Sequence, residues 1–268
     1  MITIDAHMHS IWSPDGHEEL VNIFSTAQEK QLHYIAITDH IDLEDPDGSE
    51  GVSDVNSYIA DISSSRRNVA RMQVLTGIEA GVNKDNLKMT EEKLSAYSFD
   101  TIILSVHNLG KVSVAKVPEG TDYDDFLKQY LEEVLYCVEM MNQYQILGHL
   151  DYPARYLPLT LDSYKKHEAL VGNILEILIK RGKALELNTA KLDVEKHFQI
   201  MSWIVKAYVD KGGTMVSVGS DAHRTEAIMR NYDKAEQILK KNDIGNVVIF
   251  RNTVPFFEPI VESTAFTL

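Results

Sequence analysis

Short apolar runs alternate along this chain with longer segments of helical periodicity. Seven runs, each rich in β-branched or other apolar residues, predict strands at Ile2–Asp5, Tyr34–Thr38, Gln73–Gly77, Thr101–Ser105, Gln145–Gly148, Ala184–Asn188 and Met215–Gly219. Apolar residues spaced by three or four positions predict helices at Glu18–Gln31, Asp54–Arg71, Thr90–Tyr97, Asp122–Tyr144, Asp162–Arg181, Asp193–Lys211 and Glu226–Lys241. Strands that alternate with helices pair in parallel through helical crossovers.

This repeating strand–helix unit predicts an α/β fold, and seven units in 268 residues favour a closed or nearly closed barrel of the TIM type. An open doubly wound sheet is the alternative. No linker, low-complexity tract or internal repeat interrupts the pattern, so we expect a single domain over residues 1–268. Barrel enzymes carry their chemistry at the carboxyl ends of the strands. The residues that follow each run are therefore the candidates for function.

Polar side chains that can bind metal or transfer protons follow most of the runs. They are, in chain order, His7, His9, His40, Glu79, His107, His149, Asp221 and His223. His7 and His9 are two residues apart and point to the same side of the chain. Each residue alone has an ordinary explanation, such as a hydrogen-bonded buried imidazole. Gathered at one barrel mouth, however, they would lose hydration at a large energetic cost, which divalent cations relieve.

The donor types narrow the choice of metal. Imidazole mixed with carboxylate, without thiolate, selects Zn, Mn or Fe. With Asp15 included, nine candidate groups are too many for one tetrahedral ion, so we expect two or three divalent ions, with Glu79 able to bridge two of them. The single cysteine, Cys137, lies in a helical pattern beside Val134 and Val138 and is predicted to be a buried, inert thiol.

Charge and composition limit the partners. The formal net charge of −14 argues against nucleic acid or an anionic membrane as a partner, but not against a phosphate substrate, because bound cations reverse the local sign. The single cysteine, the lack of an apolar run of membrane-spanning length and the lack of a signal sequence predict a cytoplasmic protein. The oligomeric state stays open. The C-terminal stretch VVIFRNTVPFFEPIVESTAFTL is apolar enough to pack against the barrel or a second subunit.

Six segments of the chain carry a family resemblance. DAHMHSIWSPDG, ITDH, GIE, SVH, GHLD and GSDAH, in this order, resemble the polymerase and histidinol phosphatase (PHP) family, and within it the monofunctional histidinol-phosphate phosphatases. The resemblance extends from Ile2 to about His223. It implies a distorted (β/α)7 barrel with a cluster of two or three metal ions at its carboxyl-terminal face.

The resemblance also implies which residues hold each ion. The sets are, for the three ions in turn, His7, His9, Glu79 and Asp221; Glu79, His107 and His149; and Asp15, His40 and His223. Relatives have histidine where this chain has Asp15, so the third set departs from the family pattern. Asp5 is expected to orient one of the ligand imidazoles.

The implied activity is hydrolysis of a small phosphomonoester, with L-histidinol phosphate favoured and a metal-bridging hydroxide as nucleophile. Arg155, in GHLDYPARY, is implied to bind the substrate phosphate, since a guanidinium matches two phosphate oxygens. Where the family pattern has a second arginine this chain reads Asn188-Thr189-Ala190-Lys191, so either Lys191 substitutes for it or the phosphate has one cation fewer. Asp221, His223 and a metal-bound water are the candidates that protonate the leaving oxygen.

Other functions remain open from sequence alone. The same site would suit a phosphatase of phosphotyrosine proteins or of another small phosphoester. A 3′–5′ exonuclease would need a basic track for the nucleic-acid strand, and none is visible in the sequence. A non-catalytic metal-bound module that regulates a partner is the alternative from another class.

Overall fold

The computed structural model of the chain describes residues 1–261, apart from the side chain of Asn68. Its strands are β1 (Ile4–Asp5), β2 (Tyr34–Ile37), β3 (His40–Ile41), β4 (Gln73–Gly81), β5 (Thr101–Ser105), β6 (Asn108–Leu109), β7 (Val112–Ser113), β8 (Ile146–Leu147), β9 (Ala184–Asn188), β10 (Val216–Gly219), β11 (Asn246–Arg251) and β12 (Val254–Pro259). Its helices are α1 (Leu20–Glu29), α2 (Val55–Ser65), α3 (Leu87–Ser95), α4 (Tyr123–Met140), α5 (Pro153–Tyr156), α6 (Leu161–Lys166), α7 (Glu168–Arg181), α8 (Glu195–Asp210) and α9 (Tyr232–Lys241). Two 3₁₀ turns span Arg66–Asn68 and Thr225–Ala227.

Parallel strands form the wall of a nearly closed barrel. They follow one another in the order β1-β2-β4-β5-β8-β9-β10, and β3 extends the wall beside the end of β4. The two ends of this sheet meet where the backbone N–H of Ala6 donates to the carbonyl of Val218 at 2.9 Å. Met8 forms a parallel bridge with Ala222 just beyond. The predicted seven-stranded barrel is confirmed, and the open doubly wound sheet is wrong.

The barrel strands are buried on both faces, which explains why they appear in sequence as continuous apolar runs rather than alternating ones. The surrounding helices bury one apolar face each. In α4, the longest helix, Phe126, Leu131 and Val138 face the barrel, and Asp122 caps its first turn by accepting hydrogen bonds from two backbone amides. Gly182 ends α7 in the left-handed conformation, at φ 63°.

Some boundaries differ from the sequence prediction. The predicted helix Asp162–Arg181 is two helices, α6 and α7, which meet at His167. In the C-terminal stretch, β11 packs against the barrel with Val247–Phe250 buried, while β12 exposes Val254 and Phe257. Residues 262–268 of that stretch lie outside the described range. Among the helices described, none is long and apolar enough to cross a membrane.

The thiol of Cys137 is fully buried on α4, as predicted, and burial raises its pKa. Because the thiolate is the reactive form, we expect Ellman's reagent to leave the native protein unmodified and to titrate one thiol per chain in denaturant. The rate of reaction under native conditions then measures opening of the barrel. Rapid stoichiometric labelling of the native protein would contradict the burial of this helix face.

Candidate metal centre

The nine predicted metal ligands lie at the carboxyl-terminal face of the barrel, in the loops after the strands or near the strand ends. His7 and His9 follow β1, Glu79 lies near the end of β4, and His107 and His149 follow β5 and β8. The side chains of these five residues are buried, whereas that of Asp15 is 59% exposed. The structure therefore brings together residues that are as much as 216 positions apart, from His7 to His223.

One set of four donors surrounds a common point. The Nε2 atoms of His7 and His9 are 3.1 Å apart, and they lie 3.2 and 3.5 Å from Oε2 of Glu79. Oδ1 of Asp221 lies 3.8 Å from the first nitrogen and 3.4 Å from the second. A tetrahedral ion with bonds of roughly 2.0–2.1 Å keeps its ligand atoms about 3.3 Å apart. The five distances given, from 3.1 to 3.8 Å, are close to that spacing, and His7, His9 and Glu79 form a group whose donor atoms could hold one ion.

A second donor set lies on the other side of the Glu79 carboxylate. The Nε2 atom of His149 lies 2.8 Å from Oε1 of Glu79, and that of His107 lies 3.3 Å from the same oxygen. The two nitrogens are 3.5 Å apart. Oε1 of Glu79 thus faces His107 and His149, whereas Oε2 faces His7 and His9 and also lies 3.1 Å from Nδ1 of His40. Imidazole nitrogens beside both oxygens suit a carboxylate that bridges two ions.

The surroundings of the Glu79 carboxylate show that these residues suit a cation. The carboxylate is 1% exposed, and its Oε2 has no hydrogen-bond partner among the described residues. Burial would raise the pKa of Glu79, but the positive charges of His7, His40 and His107 outweigh it and hold the pKa well below the usual range. A buried anionic oxygen without a hydrogen bond is costly, and a divalent ion removes that cost.

A third donor set is more open to solvent. Oδ2 of Asp15 lies 3.0 Å from Nε2 of His223, and Oδ1 lies 3.7 Å from Nε2 of His40. Both imidazoles stack on the ring of His9, with centroid distances of 4.4 Å for His40 and 4.2 Å for His223. These residues can hold a further ion, with fewer donors than the first set and more exposure to solvent than either of the other two.

Two buried carboxylates that the sequence analysis did not place at the metal centre support the histidines from behind. Oε1 of Glu186 lies 2.6 Å from Nδ1 of His7, and its Oε2 accepts the backbone N–H of His149 at 2.7 Å. Oδ2 of Asp42 lies 3.0 Å from Nδ1 of His107. A proton held on Nδ1 by such a contact leaves Nε2 free to bind metal. A carboxylate inside the apolar run of β9 was the one signal in sequence for Glu186.

We expect Glu186→Gln to weaken metal binding by about 10- to 100-fold, the usual effect of removing a carboxylate behind a ligand imidazole. Without the charge of Glu186, Nδ1 of His7 loses the partner that fixes its proton and raises its pKa against the opposing effect of burial. Competition with a chromogenic chelator measures the affinity. Glu176→Gln, on the exposed surface of α7, is the matched control. Equal metal affinities for wild type and Glu186→Gln would contradict this role.

Asp5 does not contact an imidazole, so its expected role is wrong. Its carboxylate accepts the backbone N–H of Ser220 at 2.8 Å and that of Met229 at 3.3 Å. It thereby fixes the turn that presents Asp221, whose backbone adopts the left-handed conformation at φ 52°. Arg230 donates to the carbonyls of Ser220 and Asp221 and holds the same turn from the other side.

Beside the third donor set lies a cavity of about 440 Å³ with several cations in its wall, namely Arg155, Lys191, Arg224 and Arg230. Nη1 of Arg155 donates to Oδ2 of Asp221 at 2.7 Å, and both side chains are largely buried. Asp221 therefore turns one oxygen toward His7 and His9 and the other toward Arg155. The cavity combines cationic side chains with direct access to the metal donors.

Fold and site together define a metal-dependent phosphoester hydrolase built on a parallel α/β barrel, with donors for several divalent ions at the carboxyl ends of the strands. The chain belongs to the PHP domain family, whose sequence model matches residues 5–190. A probable histidinol-phosphatase of Thermotoga maritima is 32% identical over 238 residues, covering 89% of this chain and 91% of that protein. A probable histidinol-phosphatase of Clostridium acetobutylicum is 26% identical over 250 residues, covering 92% of this chain and 96% of that protein.

A solved structure has the same architecture. The histidinol phosphate phosphatase of Lactococcus lactis, in complex with zinc, L-histidinol and phosphate, superposes with a TM-score of 0.88 at 26% identity and covers 95% of this chain and 98% of its own. The family resemblance predicted from the six sequence segments is confirmed, as is the expectation of a site for several divalent ions.

Proposed function

We propose that this chain hydrolyses L-histidinol phosphate to L-histidinol and inorganic phosphate. The observation that carries the proposal is the carboxylate of Glu79, shared by two donor sets, one of which includes Asp221 in the wall of an arginine-lined cavity. Two cations beside a guanidinium are suited to a phosphate dianion. The names of the relatives and the ligands of the Lactococcus lactis enzyme support the choice of ester.

We assign the metal ligands as the three donor sets described above. When bound, the ions would lower the pKa of water and neutralise charge on the transferring phosphoryl group. Glu79 would hold an ion in each of the two inner donor sets, and Glu186 and Asp42 keep the Nε2 atoms of His7 and His107 directed inward. Arg155 orients the phosphate with the face of its guanidinium that does not contact Asp221.

The leaving oxygen takes up a proton as the P–O bond breaks. Asp221 and His223 both line the cavity, but the pKa of Asp221 is held well below its usual range, because the charges of Arg155 and His7 outweigh its burial. The pKa of His223 is raised instead, since its hydrogen bond to Asp15 and the charge of Asp221 outweigh burial. His223 is the better proton donor when the third donor set holds no ion, because an imidazole that binds metal carries no proton on the ligating nitrogen.

Arg224 and Lys191 are the cations that can replace the arginine missing after Asn188-Thr189. Both are exposed at the rim of the cavity that Arg155 also lines. We expect Arg224→Ala to raise KM about tenfold, since a charge-assisted hydrogen bond to phosphate contributes about 1.5 kcal/mol or more. Lys191→Ala should raise KM less, because an ammonium acts as a hydrated point charge. Steady-state kinetics of both variants test this assignment, and an unchanged KM in Arg224→Ala would remove Arg224 from the substrate site.

Release of phosphate from a substrate panel tests the proposed function. Zinc- and manganese-loaded protein is assayed with histidinol phosphate, a phosphotyrosine peptide, other small phosphomonoesters and single-stranded DNA. We expect the highest kcat/KM for histidinol phosphate and none for DNA, in keeping with the net charge of −14. His9→Ala is the inactive control. Turnover of another ester with none of histidinol phosphate would overturn the choice of substrate, while loss of all turnover with metal retained would favour a non-catalytic module.

A further inference from the structure

A second arginine-lined cavity lies at the opposite end of the barrel from the metal centre. Its volume is about 830 Å³, and Arg66, Arg67 and Arg251 lie in its wall. The chain has eight arginines, and three of them line this cavity while three others line the cavity beside the metal donors. In a chain with a net charge of −14, three guanidinium groups around one cavity are a marked local reversal of sign.

The fold brings these arginines together from distant parts of the sequence. Arg66 and Arg67 lie in the 3₁₀ turn that follows α2, and Arg251 ends β11. The side chain of Arg66 donates to the carbonyl of Val74 at 3.3 Å, and that of Arg251 donates to Gln73 at 3.1 Å. Each of these two guanidinium groups is thus anchored by one nitrogen and keeps its other N–H donors for a ligand.

The charges in this wall are not neutralised by protein carboxylates. Among residues 1–261, Arg155 is the only arginine that forms an ion pair with a carboxylate. The one carboxylate in the wall of this cavity, Asp100, accepts the backbone N–H groups of Thr76 and Asn252, each at 2.9 Å. Its oxygens are therefore engaged with the backbone and not with the guanidinium groups.

The rest of the wall suits a small organic anion. Ile59, Met72 and Phe99 contribute apolar surface, and Ser63 and Ser98 add hydroxyl groups. The wall is therefore mixed, with apolar surface beside several converging polar groups, and a cavity of several hundred Å³ can hold a small molecule. Guanidinium groups in that setting suit a phosphate, because their paired N–H donors match two phosphate oxygens.

From these observations we propose that this cavity binds a small phosphate monoester at a site separate from the metal centre. The two sites are joined by β4, since Gln73–Thr76 line the cavity while Glu79 lies near the other end of the same strand. At about 3.3 Å per residue, they are roughly 10–20 Å apart. The proposal does not depend on the identity of the substrate at the metal centre.

Isothermal titration of the metal-loaded protein tests the site with two probes. AMP joins a phosphate dianion to an apolar ring, and inorganic sulfate is an oxyanion with no ester bond to hydrolyse. We expect both probes to bind wild-type protein saturably, with a Kd of about 1 mM or tighter. The affinity should fall at least about tenfold in the double variant Arg67→Gln/Arg251→Gln and should be unchanged in Arg155→Gln. The kcat/KM of the double variant toward histidinol phosphate should stay within about twofold of wild type, since it removes no group from the metal centre.

The outcomes separate the sources of the anion. If AMP binds and its binding requires Arg67 and Arg251, the cavity is a site for an organic phosphate. If sulfate binds in this way and AMP does not, the cavity is a site for a free oxyanion. Absence of saturable binding by both probes would overturn the proposal, as would binding lost only in Arg155→Gln. Ser63→Glu, which places a negative charge in the cavity without removing an arginine, should also abolish binding and guards against misfolding of the double variant.

Discussion

Glu79→Gln should lower phosphatase activity by at least about 100- to 1,000-fold, the range seen when a group that stabilises transition-state charge is removed. The two oxygens of Glu79 face different sets of histidine nitrogens, so one amide cannot replace both. Its NH₂ group would point at one pair and repel a cation there. The neutral side chain would also remove the negative charge that the two ions share.

Metal analysis together with kinetics measures this effect. We expect Glu79→Gln to hold at least one ion per chain fewer than wild type after dialysis. Glu133→Gln is the matched control, because Glu133 is also a buried carboxylate but lies on α4 beside Lys84, away from the metal donors. If Glu79→Gln kept the full metal content and wild-type kcat, the shared carboxylate would not be the centre of the site.

Arg155→Ala should raise KM for the phosphoester about 10- to 100-fold, since it removes a forked donor that matches two phosphate oxygens. The same change takes away the ion pair of Asp221, whose Oδ2 would then keep only the Nδ2 of Asn188 at 3.3 Å. Some loss of metal is therefore expected, but less than one ion per chain. Arg155→Lys keeps the charge without the fork and should give an intermediate KM.

The split between KM and metal content separates two roles for Arg155. A large rise in KM with metal largely retained indicates that the guanidinium binds phosphate. Equal losses of metal and of kcat/KM, restored together in Arg155→Lys, would instead show that Arg155 acts by holding Asp221 in place. Measurement of both quantities on the same protein preparation is therefore essential.

The strands and the metal donors were predictable for a common physical reason. Strands buried on both faces are continuous apolar runs, and in a parallel barrel the polar residues after each run meet at one face. His7 and Glu79 could thus be placed in the same site without knowledge of their separation in space. All seven predicted strands occur in the barrel, with boundaries that differ by a few residues.

Features that depend on three-dimensional contacts were not predictable. Glu186 stands out in sequence only as a carboxylate within the apolar run of β9, and the structure is needed to place it against Nδ1 of His7. Asp5 had the position expected for a residue that orients an imidazole, yet it binds the backbone around Ser220. The break at His167 between α6 and α7 is also absent from the periodicity, because both halves keep an apolar face toward the barrel. The arginines of the cavity opposite the metal centre meet only in the folded chain, where Arg251 at the end of β11 donates to Gln73 at the start of β4.

The most direct test is anomalous diffraction from crystals of the zinc-loaded protein, recorded on both sides of the zinc absorption edge. We predict two peaks on either side of the Glu79 carboxylate, one bounded by His7, His9 and Asp221 and the other by His107 and His149. A third peak beside Asp15 is compatible with this arrangement and is not required by it. A single peak that Glu79 does not contact, or peaks away from these histidines, would contradict it.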